Sequence, residues 1–96
     1  MRKNQTQNIS EIISLILKQN GLDDKLAEVR AIRSWEELLG KTVARYTRNL
    51  YIKDKTLYIS LNSSIVRNEL LMIRDELIKR LNEKAGKQVI EKIVVK

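Results

Sequence analysis

The chain contains no cysteine, no histidine and no proline, and only 3 glycines among its 96 residues. Without cysteine there is neither a disulfide nor a thiolate nucleophile. Without histidine, the side chain best suited to acid–base work near neutral pH is missing, and the usual zinc sites lose both of their common ligand types. Nothing takes their place. Glu36-Glu37 and Asp75-Glu76 are adjacent in helical segments, so their carboxylates diverge, and no stretch fits GxxxxGK[ST] or GxGxxG. The sequence therefore reads as non-enzymatic, with no cofactor, metal or small-molecule substrate expected. No apolar run approaches the roughly 20 residues of a membrane span. The opening MRKNQTQNIS is basic, but no apolar stretch ending in a small-residue cleavage site follows it. A cytoplasmic protein with no membrane attachment is the expectation.

What is present in excess is positive charge. Nineteen Lys+Arg against twelve Asp+Glu give +7, a balance that favours polyanionic partners such as nucleic acid or an acidic protein surface. The excess is local: between positions 41 and 55 lie Lys41, Arg45, Arg48, Lys53 and Lys55, with Asp54 as the one acid. Those five are the candidate phosphate contacts; the plainer alternative is a solvated charge run. Apolar content of 43% is enough for one modest core. We expect a flexible N-terminus over residues 1–7 and a single domain over 8–96.

Helical spacing accounts for most of the chain. Asn8 or Ser10 can cap a first helix reaching about Asn20, with Ile9, Ile12, Ile13, Ile16 and Leu17 as its apolar stripe and Gly21 as its stop. A second helix begins at Asp23-Asp24, carries Leu26, Val29, Ile32, Trp35 and Leu39, and ends or bends at Gly40. Trp35 on this stripe reads as core rather than as a partner-facing anchor. A short helix over Lys41–Thr47 follows. Beyond the middle of the chain, Asn62, Ser63 and Ser64 are three successive cap candidates for a helix marked by Val66, Leu70, Ile73, Leu77 and Leu81 and closed by Gly86. Gln88–Val95 is rich in β-branched residues and reads as a last strand, parallel to the one before it because a helix intervenes.

The centre of the chain alternates with a period of two. Leu50 and Ile52, then Leu57, Ile59 and Leu61, alternate with polar or aromatic residues on either side of Lys53-Asp54-Lys55-Thr56. With Asp54-Lys55 as the loop, Ile52 faces Leu57, Leu50 faces Ile59 and Tyr51 lies across from Tyr58. Helices must cover the aliphatic side, leaving the tyrosines toward solvent. The layout is a two-layer α+β domain of order α-α-β-β-α-β, with a three-stranded mixed sheet covered on one face. Tyr51 and Tyr58 then either form a platform for unpaired bases or are an ordinary cross-strand pair.

The run from Trp35 to Val95 resembles the conserved domain of the DciA-like proteins. The features that carry the resemblance are Trp35 with Gly40 five residues on, Tyr46-Thr47, a turn with Asp54 and Leu57, Asn62-Ser63-Ser64, Glu69-Leu70, Leu81-Asn82, Gly86 and a closing strand. Lys55 stands where the family usually has glycine, and aliphatic Ile65-Val66 replaces an aromatic. The resemblance implies a KH-like fold, affinity for DNA more than RNA, an association with the bacterial replicative helicase, and no catalysis. The glycines at 21, 40 and 86 form no GXXG loop, so RNA recognition of the ordinary KH kind is disfavoured.

The expectation is a nucleic-acid-binding accessory module without sequence specificity, contacting its ligand through Lys41, Arg45, Arg48, Tyr51, Lys53, Lys55 and Tyr58. It would act with the replicative helicase, as a monomer or weak dimer. Ile9, Ile12, Ile13 and Ile16 are the candidate partner-binding stripe, since a small sheet needs only about two helices to cover it; the plainer alternative is that they complete the core. The alternative is a protein-interaction adaptor that docks through that first helix and a basic face.

Overall fold

A computed structural model describes the backbone of residues 2–96 and the side chains of residues 9, 11–16 and 18–96. The first helix begins at Arg2, within the segment expected to be flexible and ahead of the caps expected at Asn8 or Ser10; the side chains of residues 1–8, Ser10 and Leu17 fall outside what is described. In order, the elements are α1 (Arg2–Gln19), α2 (Asp23–Arg33), α3 (Trp35–Tyr46), β1 (Thr47–Lys53), β2 (Thr56–Leu61), α4 (Ser64–Met72), α5 (Arg74–Ala85) and β3 (Lys92–Val95). The α+β layout expected from the sequence is present, but two of the expected helices are each broken once more.

The first break is at Ser34. Its buried hydroxyl donates to Ala31 O at 2.7 Å, and its N–H is shared between Arg30 O and Ala31 O. Side-chain back-bonding of this kind loosens the helical ladder, and the chain re-enters a helix at Trp35. Gly40 then bends α3 with φ 90° and ψ 167°, a backbone region essentially reserved for glycine. The short helix expected after it completes α3.

The second break is at Ile73, between α4 and α5, where φ −108° and ψ 20° leave the helical range. Ile73 N–H bonds back three residues to Leu70 O instead of four. The break lets two helices present separate faces to one core: Val66 and Leu70 from α4, Leu77, Leu81 and Ala85 from α5. Ser63 proves to be the cap of α4, its hydroxyl accepting from Val66 N–H at 3.2 Å. Gly86, at φ 86°, ends α5 as expected.

The three strands are arranged β1-β2-β3, with β1 antiparallel and β3 parallel to β2. Ile52 pairs with Leu57, Leu50 with Ile59 and Tyr51 with Tyr58, the register that the alternation implied. Asp54 and Lys55 both take positive φ, 51° and 61°, as a primed two-residue turn requires. β3 is shorter than expected, because residues 88–91 form a loop that buries Val89 and Ile90.

Leu57, Ile59, Leu61 and Ile93 point from the sheet into a core completed by Ala27, Ala31, Trp35, Leu77, Leu81 and Ile90. Each fully buried aliphatic side chain here contributes about 1.5–3 kcal/mol. Polar ties hold the helices in place. Arg30 Nε donates to Ala85 O at 3.0 Å, putting a cation of α2 on the C-terminal end of α5. Lys87 bridges to Asp23 and Asp24 at the start of α2.

Candidate functional site

Because side chains alternate across a strand, packing one face of the sheet on helices leaves the other as three parallel rows. In the middle row Tyr51 lies beside Tyr58, which lies beside Val94. On the turn side of it are Lys53, Thr56 and Lys92. On the other side are Asn49 and Ser60, and Lys96 continues β3 beside them: its N–H donates to Ile59 O, and its carbonyl accepts from Leu61 N–H. Three lysines and no acidic side chain are among these nine residues.

The tyrosine rings are stacked, with centroids 4.9 Å apart and planes inclined by 16°. That spacing matches the distance between neighbouring strands, so the two rings turn one face toward each other. Tyr51, on the edge strand, keeps its outer side open and is 45% exposed. Tyr58 is half-buried between Tyr51 and Val94.

Pairing is interrupted between Thr47 and Asn49, where Arg48 is the extra residue of a β-bulge. A bulge re-aims the side chain it inserts. Arg48 here lines a shallow depression together with Asn49, Ser60, Leu61 and Lys96. Just ahead of it, Trp35 Nε1 donates to Thr47 Oγ1 at 3.0 Å, and Thr47 Oγ1 donates to Val43 O at 2.7 Å. Trp35 is buried, as its stripe implied, and fixes the chain where α3 becomes β1.

Residues 8–95 match the family model described as "Dna[CI] antecedent, DciA". The chain belongs to the DciA family. The UPF0232 protein of Corynebacterium glutamicum (strain R) is a relative, 26% identical over 87 residues, or 91% of this chain and 49% of the relative. The DciA-family chain thus spans about half the length of that curated relative.

Of the seven candidate contacts in this DciA-family chain, Tyr51, Tyr58, Lys53 and Arg48 come together on or beside the open sheet face. Lys55 does not join them in the same way: its Nζ is 3.8 Å from a Glu91 carboxylate oxygen. Lys41 and Arg45 are exposed on α3, in the helical layer. Conversely, sequence reading passed over Lys92, Val94, Lys96, Asn49 and Ser60. The available signal was the alternation within KIVVK at 92–96.

Ile9, Ile12, Ile13 and Ile16 are each at least half exposed. α1 leans on α2 and leaves this stripe uncovered. A second run of exposed apolar residues, Leu71, Met72 and Ile73, lies at the break between α4 and α5. Among the described residues no group of acidic, histidine or cysteine side chains could hold a metal ion, and no helix is long and apolar enough to cross a membrane.

Proposed function

We propose that this chain is a non-enzymatic accessory module that binds single-stranded or branched DNA without sequence specificity and acts with the bacterial replicative helicase. The observation that carries the DNA part is the stacked Tyr51–Tyr58 pair on an open sheet face between rows that hold Lys53, Lys92 and Lys96. Unpaired bases stack on aromatic rings whatever their identity, and lysines beside them neutralise the backbone. A duplex keeps its bases stacked inside and gains only the charge contacts. Membership of the DciA family supports the helicase part.

The test is a titration of a labelled oligo-dT and of its duplex, followed by fluorescence anisotropy at low and moderate salt. The single strand should bind more tightly, with affinity falling log-linearly in salt. Replacing Tyr51 and Tyr58 together by alanine should weaken it by about 1–3 kcal/mol per base lost from the stack, roughly 5- to 150-fold. Absence of binding at low salt defeats the DNA reading. A second reading then remains, an adaptor docking through α1, which draws on the exposure of Ile9, Ile12, Ile13 and Ile16. A helicase pull-down with wild type against the Ile12→Asp, Ile16→Asp double variant tests it.

A further inference from the structure

The depression at the far end of the sheet, beside the β-bulge, is a separate feature from the aromatic row. Arg48 and Lys96 line it from the two outer strands, and Asn49 and Ser60 lie between them on the same face. The Asn49 side-chain oxygen accepts from Leu50 N–H at 3.0 Å, which leaves its amide N–H groups for a ligand. Arg67 of α4 reaches the Leu61 carbonyl through a long 3.5 Å contact but does not line the depression. Its Nε is buried without a hydrogen-bond partner. No acidic side chain lines the depression.

Two cations, a hydroxyl and an amide converging on one concavity match the acceptor oxygens of a phosphate diester. The bulge supplies the reason for the geometry. In a regular strand, residues 48 and 49 would point to opposite faces; the inserted residue lets both border one depression. Resting on the DNA reading above, we infer that Arg48, Asn49, Ser60 and Lys96 form a seat for one backbone phosphodiester of a single strand whose neighbouring base meets Tyr51. Asn49 and Tyr51 are two residues apart on the same face, so seat and ring are neighbours along one strand. Lys53 and Lys92 border the aromatic row on its opposite side, so the strand crosses the three rows in turn.

The experiment compares salt dependences of oligo-dT binding. Arg48→Ala with Lys96→Ala should lower the slope of log K against log salt by up to about 1.4, at roughly 0.7 for each single-strand contact removed. Arg33→Ala with Lys79→Ala, exposed cations of α2 and α5 away from the sheet, should leave the slope as in wild type. Asn49→Ala with Ser60→Ala should weaken binding about tenfold with the slope unchanged, the loss expected for hydrogen bonds to a charged group. Circular dichroism confirms that each variant is folded. Equal slope changes for the two charge-removal variants overturn the seat while the DNA reading stands, provided the Tyr51 and Tyr58 variants still weaken binding. If wild type fails to bind oligo-dT at all, the DNA reading itself falls, and the seat with it.

Discussion

The side chain of Asn82 holds the main chain at Ile90 from both sides. Its Nδ2 donates to Ile90 O at 2.9 Å, while its Oδ1 accepts from Ile90 N–H and Val89 N–H, each at 2.9 Å. Residues 88–91 would otherwise leave these backbone groups unpaired next to a fully buried Ile90. Asn82→Ala removes three hydrogen bonds, each with a net value of about 0.5–1.5 kcal/mol. We expect a loss of about 2–4 kcal/mol in urea unfolding, and a smaller one for Asn82→Asp, which keeps the two acceptor contacts. A loss well under 1 kcal/mol for the alanine variant would show that water replaces the side chain.

Gly40 is a backbone requirement without a packing one. Its φ of 90° is forbidding to side chains, yet a Cβ there would meet nothing within 4 Å. Gly40→Ala should therefore cost about 1–3 kcal/mol of unfolding free energy from strain alone. An unchanged denaturation midpoint would mean that α3 straightens at no cost.

Thr47 is both acceptor for the Trp35 indole and donor to Val43 O. Thr47→Val keeps the shape but strands the indole N–H, so about 1–3 kcal/mol should be lost. Thr47→Ser should restore most of it. Trp35 is the one tryptophan, so its fluorescence emission reports the change directly.

Lys87 makes stability depend on pH at both extremes. The hydrogen bond from Lys87, reinforced by its charge, holds the Asp24 carboxyl below its ordinary range; hydrogen bonds to Asp24 and Asp23 raise the Lys87 ammonium above its own. A lowered carboxylate stabilises the fold above its unfolded pKa, near 3.9 for Asp, and loses that contribution as pH falls through the lower folded value. A raised lysine stabilises below about pH 10.4 and loses its contribution as pH climbs through the higher folded value. The difference in urea midpoint between wild type and Lys87→Met should be flat across neutral pH and shrink in strong acid and strong base. Both groups are exposed, so added salt should shrink it too. A difference that persists at pH 2 would assign the effect to packing.

Period-two alternation made the hairpin legible down to the Tyr51–Tyr58 pair, because a slip of one residue would have exposed Leu57 and Ile59. The break at Ile73 was hidden, since Val66, Leu70, Ile73, Leu77 and Leu81 are spaced as one continuous helix would space them. Only the demand that α4 and α5 both reach the core interrupts it. Lys92 and Lys96 were hidden for another reason. The alternation in KIVVK puts both on one face, but which β2 residues so short a strand lies beside depends on its register, and local sequence does not carry that. Glu91 likewise reaches Lys55 only after the whole crossover has closed.

The two tyrosine rings are already in contact before any ligand arrives, and both are carried by strands rather than by loops. A binding partner on this face would find nothing to fold or reorder, so little ordering entropy would oppose complex formation. Substitutions at the rings would then show up in how long a complex lives, and substitutions at the lysines in how fast it forms.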